Sequence, residues 1–218
     1  ANPLYLLRAL HAGIRCHGGR FLAVGKVKEI RRNGESYVIE SNHQTIAAGR
    51  VILAAGLGNR ELAPQVGLDA PLIPNRGEIL VTERMRPLLN LPTTYLRQTG
   101  EGSILMGDSH EDVGFNDGTE TPVLAQIAKR AVRALPALAN TRVVRSWGAL
   151  RVMTPDGYPL YQASESHPGA FIACCHSGVT LAAAHAKCLA PWFAGAEAPS
   201  EITPFTAERF HVQTSIPA

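Results

Sequence analysis

The chain has 218 residues, of which 45% are hydrophobic, 18% charged and 6% aromatic, with a formal net charge of +3. That is room and composition for one large globular domain or two small ones. Acids and bases are interspersed: there is no dense Lys/Arg block to select nucleic acid or an anionic bilayer, no transmembrane-length apolar run and no signal-peptide pattern, so a cytoplasmic location is expected.

Residues 3–17 read as a helix. Asn2 can cap it, Pro3 suits its first turn, Leu4, Leu7, Leu10 and Ile14 form an apolar stripe, and Gly18-Gly19 ends it. A β-meander follows. Phe21–Arg31 is strand-like, Asn33-Gly34 is a hairpin turn, Glu35–Glu40 returns, and Thr45–Ala47 makes a further short strand. Arg50–Gly56 is a continuous apolar run of the kind found in buried parallel strands, with a short helix predicted over Asn59–Val66.

From Pro71 to about Arg145 the pattern changes to antiparallel strands at Gly77–Thr82, Thr94–Arg97 and Ser103–Met106. An amphipathic helix is predicted over Pro122–Leu135, capped by Thr121 and ended by Pro136. The chain then returns through strands at Val143–Leu150 and Ala170–Cys175. A helix is expected over Gly178–Leu189, with Pro191 marking its end or a kink. The tail beyond Gly195 is expected to be irregular. The expected fold class is therefore mixed, α+β or α/β. Of the four cysteines, Cys174 and Cys175 are adjacent, and a vicinal disulfide would be strained, so reduced thiols are expected; no spacing suits zinc.

Three stretches could carry chemistry. Gly56-Leu57-Gly58 follows a strand, but the third glycine of a phosphate-binding GxGxxG would fall at Glu61, so a close-packed turn is the better reading. Arg151, ending Ser146-Trp147-Gly148-Ala149-Leu150-Arg151, either offers a guanidinium fork to a carboxylate or pairs with a surface acid. Cys175-His176-Ser177-Gly178-Val179-Thr180-Leu181 is a polar turn between strand and helix, where free N–H groups would favour negative charge.

Taken in order, Val51–Gly56, Pro74–Thr82, Gly148–Arg151 with Thr154–Gly157, and His176–Ala182 resemble the FAD-dependent D-amino-acid oxidase superfamily, which includes glycine oxidase and sarcosine oxidase. The resemblance runs from about Leu4 to Trp192. It implies a remnant of a Rossmann-like FAD-binding domain in residues 1–70 and 147–195, an antiparallel substrate-binding domain in 71–146, and an irregular tail in 196–218. It also implies roles for single residues. Val27, Ala55 and Gly56 would meet the dinucleotide, and Ser177, Gly178, Val179, Thr180 and Leu181 would lie against the flavin ring. Arg151 would clamp the substrate carboxylate, and Tyr95 and His176 would line the substrate cavity.

The departures from the family carry implications too. The strand–GxGxxG–helix unit that opens the family has no counterpart in this sequence. The chain therefore reads as a fragment or truncated form, inactive alone and binding FAD poorly or not at all. Where sarcosine oxidases attach flavin covalently through a cysteine, this sequence has Ala149, which implies noncovalent FAD. Thr180 stands where those oxidases carry a lysine. The His176–Ala182 run is similar instead to heteromeric dehydrogenases such as D-hydroxyproline dehydrogenase and the hydrogen cyanide synthase flavin subunit, which pass electrons to a partner. The expected function is oxidation of the C–N bond of a small amino acid (a D-amino acid, glycine or an imino acid) by hydride transfer to flavin, with an electron-accepting or flavin-binding partner subunit. The alternative is a non-catalytic assembly subunit. A nicotinamide dehydrogenase using Gly56-Leu57-Gly58 would need a ribose-binding acid, and Asp69 follows too soon.

Overall fold

The computed structural model describes residues 2–211. The chain divides into two units, one formed by residues up to Ile73 and from Val152 onward, the other by Pro74–Arg151.

The first unit opens with helix α1, Pro3–Cys16. The Asn2 side chain accepts from the Leu4 amide at 3.0 Å, as its cap position requires. None of the α1 residues is buried, so Leu4, Leu7, Leu10 and Ile14 form an exposed apolar stripe. Strands β1 (Val27–Asn33), β2 (Ser36–Ser41) and β3 (Thr45–Ala48) form an antiparallel sheet in that order, with β1 and β2 joined at Gly34, whose φ of +61° suits glycine in a tight turn.

A second sheet has β4 (Val51–Leu53) parallel to β10 (Ala170–Cys174), which in turn pairs antiparallel with β9 (Leu160–Ala163). Buried Tyr37, Leu53, Val66, Leu72, Leu160 and Ile172 fill the core between these elements. The Tyr37 hydroxyl donates to the His167 and Pro168 carbonyls at 2.8 and 3.0 Å, tying β2 to the turn before β10. After β4 the chain passes through helix α2 (Asn59–Leu62), flanked by 3₁₀ turns.

In the second unit the strand order is β6 (Leu96–Gln98), β7 (Ser103–Met106), β5 (Ile73–Arg84) and β8 (Val143–Met153). Helix α3 (Thr121–Ala134) packs Ile127 and Ala131 against Leu80, Leu96, Ile104 and Met106. Its length fits an apolar face set by residues four apart.

The mixed fold is as expected, and several local readings change. Phe21–Lys26 is not strand: Gly25 has φ +75°, and the Phe21 ring leans on His11 at 4.4 Å between centroids, so its contacts are with α1 rather than a ladder. Ile52 is 43% exposed while Leu53 beside it is buried, so β4, at the edge of its sheet, is covered on one face rather than both. Glu120, not Thr121, is the residue before α3, with its amide donating to Glu78 Oε1.

The last helix starts at Ala182 instead of Gly178, since residues 176–181 form successive turns. Of the end or kink expected at Pro191, an end is not found: the helix runs on to Ala194. A π-helical stretch, His185–Leu189, precedes the proline. Pro191 has no N–H and its ring crowds the preceding turn, and the wider register relieves that conflict. Beyond Gly195 the chain is more ordered than expected: 3₁₀ turns at Ser200–Phe205 and Ala207–Phe210 bury Ile202 and Ala207. Arg209 pairs with Asp156 at 2.7 Å and, with further hydrogen bonds from the Tyr158 amide and Thr154, holds that carboxyl down at about 2. The part of the tail at 212–218 lies outside the described residues. All four cysteines are free thiols.

Replacing Tyr37 by Phe keeps the ring and leaves two carbonyls without their donor. The expected cost is about 1–3 kcal/mol, read from urea unfolding followed by circular dichroism.

Candidate functional site

Each unit carries one candidate region. In the first, residues 175–180 line a cavity of about 660 Å³ together with Leu6 and Leu10 of α1. His176, Ser177, Gly178, Val179 and Thr180 are all exposed there. The Leu181 amide donates to the Ser177 carbonyl at 3.0 Å and that of Ala182 to Val179 at 3.4 Å, which closes the turns. Among the described residues, the amides of Gly178, Val179 and Thr180 meet no protein acceptor. A Cβ built on Gly178 would touch only the Cys175 sulfur, at 3.8 Å, so folding alone does not demand glycine.

Behind this turn the Tyr161 hydroxyl and His185 Nε2 are hydrogen-bonded at 2.6 Å, and the Cys175 sulfur lies 4.0 Å from the same nitrogen. Burial sets their protonation. It raises the Tyr161 hydroxyl and the Cys175 thiol, pushes Cys174 up to about 11 and lowers His185. At neutral pH the cluster is therefore uncharged: two thiols, a phenol and a neutral imidazole. It forms a hydrogen-bonding wall with no thiolate or carboxylate nucleophile.

The other sequence-predicted residues of this unit lie apart from the cavity. Val27 opens β1 opposite Ser41, half-buried against the core. The Ala55 amide is already taken by Asn59 Oδ1 at 3.0 Å, while Asn59 Nδ2 reaches the Leu53 carbonyl at 3.4 Å. Fully buried Asn59 thus shapes the turn after β4, a role sequence reasoning missed because a lone Asn after a Gly-x-Gly carries no distinctive signal. Gly56 has φ +58° and a Cβ there would come 3.3 Å from Val152, so the glycine pair is a close-packed turn.

In the second unit Arg151 sits on β8. Its Nη1 donates to Asn75 Oδ1 at 3.1 Å, the Arg76 carbonyl at 3.1 Å and the Ser109 carbonyl at 2.8 Å. Among the described residues its Nη2 has only Asp108, at 3.7 Å. The guanidinium lies across Gly77, where any Cβ would overlap it. Tyr95 lines a separate cavity of about 510 Å³ with Asp108, His110, Gln126 and Arg130.

Underneath, Arg76 is wholly buried and binds three acids. It meets Glu111 through Nε at 3.1 Å and through a short Nη2 contact, Glu120 at 2.7 Å and Glu78 at 3.4 Å. Those hydrogen bonds raise the Arg76 pKa and lower that of Glu111, against the burial that would raise it. Burial raises Glu78, whose Oε2 has no hydrogen-bond partner among the described residues. This network, too, escaped the sequence reading. Its signal was two charges two residues apart inside an apolar strand, which burial tolerates only if they are paired.

The model of the DAO family, described as FAD dependent oxidoreductase, matches residues 1–192. The chain belongs to that family. Members of the DAO family are FAD-binding flavoproteins. The chain is 41% identical to an opine oxidase subunit of Agrobacterium tumefaciens (strain Ach5), over 99% of its own length and 58% of that protein. It is 34% identical to hydrogen cyanide synthase subunit HcnC of Pseudomonas protegens, over 96% and 52%. Its fold is similar to that of L-proline dehydrogenase from P. horikoshii, with a TM-score of 0.84 at 19% identity, over 97% of this chain and 60% of that one. The chain thus spans between half and two thirds of each of these proteins. No helix among the described residues is long and apolar enough to cross a membrane.

A carboxyl with a raised folded-state pKa stabilises the fold through its proton below the ordinary carboxylate range. That contribution is lost as pH rises through the raised value. Glu78→Gln is neutral at every pH and leaves Arg76 with Glu111 and Glu120. Its urea midpoint should match the native one in acid and exceed it increasingly as pH rises through the range where Glu78 ionises.

Proposed function

We propose that this DAO-family chain supplies flavin- and substrate-contacting parts of an FAD-dependent enzyme that oxidises the C–N bond of a small amino acid. The observation that carries the reading is Arg151: three acceptors fix Nη1, while Nη2 has one loose partner. That leaves Nη2 as a pre-oriented donor for a carboxylate, held in place at little further entropic cost. In this reading the Pro74–Arg151 unit holds the substrate and the rest of the chain faces the cofactor.

The turn at 175–180 fits a flavin. Three amides without acceptors among the described residues border an open cavity, and Gly178 leaves space that a larger side chain would fill. Bound flavin supplies the hydride acceptor. Arg151 holds the substrate carboxylate and fixes the α-carbon; such orientation contributes several kcal/mol of barrier lowering, roughly, at best. The Gly178, Val179 and Thr180 amides stabilise the negative charge that builds up beside them. Neutral His185 and the protonated thiols place no competing anion there. His176 and Tyr95 border the substrate; Val27, Ala55 and Gly56 contact the dinucleotide, with the amide of Ala55 remaining on Asn59.

A second reading, as a subunit whose role is assembly, is favoured by the exposed leucine stripe of α1 and by the names of the two relatives, both subunits. A shifted, structured flavin absorbance on mixing the protein with FAD supports the enzyme reading, and its absence favours the assembly subunit.

Arg151→Ala should lower kcat/KM for amino acids by about 100-fold, with Arg151→Lys between, and leave flavin absorbance unchanged. Unchanged turnover would remove Arg151 from substrate binding. Gly178→Val should unfold in urea like the native protein but bind FAD about tenfold more weakly by fluorescence quenching, one decade being roughly 1.4 kcal/mol.

A further inference from the structure

Cys174 ends β10 and Cys175 follows it, yet the two side chains go separate ways. Cys174 is buried in the core of the first unit and hydrogen-bonds with Asn59. Cys175 is half-buried beneath the next turn, on the wall of the cavity of about 660 Å³. Its sulfur meets that turn at two points. Burial raises the thiol's pKa, and hydrogen bonds with the Ser177 amide and the Tyr161 hydroxyl oppose the rise. A Cβ on Gly178 would stand 3.8 Å from the same sulfur, an ordinary packing distance.

From below, the sulfur rests on the Tyr161–His185 pair. Hydroxyl and imidazole nitrogen are 2.6 Å apart, the rings meet edge to face with centroids at 5.5 Å, and Nε2 is 4.0 Å from the sulfur. Tyr161 is buried and packs edge-on against Phe205 at 6.0 Å. His185 opens the π-helical stretch, a feature that recurs at functional sites. The support is thus well packed, whereas residues 176–180 above it are all exposed. Among the described residues the turn's other hydrogen bonds stay within 176–182, including Ser177 Oγ with His176 Nδ1 at 3.3 Å.

We infer that Cys175 is a positioning residue: its sulfur carries the geometry of the Tyr161–His185 pair to the 176–180 turn and so sets where the Gly178, Val179 and Thr180 amides stand in the cavity. What those amides do to a flavin rests on the reading of this cavity as the cofactor site. A thiol suits the task because it can be buried as a small hydrophobe and still accepts a hydrogen bond.

The test begins without flavin. Hydrogen–deuterium exchange of the Ser177, Leu181 and Ala182 amides should be about tenfold faster in Cys175→Ala than in the native protein, and close to native in Cys175→Ser, which keeps an acceptor. Cys175→Val fills the space without an acceptor and should exchange like the alanine variant; it carries the test if Cys175→Ala fails to fold. With FAD added, the alanine variant should bind about tenfold more weakly by fluorescence quenching. The midpoint potential of the bound flavin should also fall, a tenfold loss of preference for the reduced form being about 30 mV for a two-electron couple. Serine should restore both. Exchange within about twofold of native in the alanine and valine variants overturns the inference, as does a loosened turn that leaves FAD affinity and potential unchanged. If the native protein binds no FAD, the flavin reading itself fails, and the exchange rates alone decide whether Cys175 braces the turn.

Discussion

Arg76 is a full positive charge sealed inside the second unit, and its surroundings are organised to answer it. A buried guanidinium without counter-charge costs several kcal/mol, a large share of a domain's net stability, and three acidic side chains converge on it from three stretches of chain. Glu78 comes from the same strand, Glu111 from the loop after β7 and Glu120 from the residue before α3. Each contact fixes one end of a segment. The backbone follows, with Arg76 and Glu111 exchanging amide hydrogen bonds at 2.9 and 3.0 Å. Because Glu111 is held, Ser109 is held, and the Ser109 carbonyl is one of the acceptors that orient Arg151. Asp108, between Arg151 and Arg130, belongs to the same loop. The placement of Arg151 thus descends in part from one charge that cannot reach water.

The first unit works by different means. Its turn at 175–180 presents exposed amides above a cluster that burial keeps neutral. With no fixed anion among the neighbouring described side chains, such a turn favours negative charge beside it.

Local pattern made much of this legible. The helical stripe of α1, the Asn33-Gly34 hairpin, the strand at Ser103–Met106 and the parallel strand before Gly56 follow from period and turn chemistry, which act over a few residues. Arg151 stood out because it ends a Gly-Ala-Leu strand in a family-like order. His185, Asp108 and Asn59 did not, since each gains its role from its spatial neighbours rather than from a local motif. His185 sits in an alanine-rich helix where a lone histidine carries no signal, and only Tyr161, 24 positions earlier, marks it out. The helix expected at Gly178 begins later: Ala182 bonds three residues back, to Val179, where an α-helix would bond Gly178.

The π-helical stretch before Pro191 has a consequence for tolerance to change. One additional residue in a turn rotates everything beyond it by about 100° around the axis. That offset is what brings both Leu189 and Trp192 onto the aromatic cluster of Phe171 and Phe193 while His185 still faces Tyr161. Removing a single residue between His185 and Leu189 would restore ordinary helical pitch and turn one of these two faces into solvent. The segment is therefore phase-locked: it should accept substitutions far more readily than a change in length.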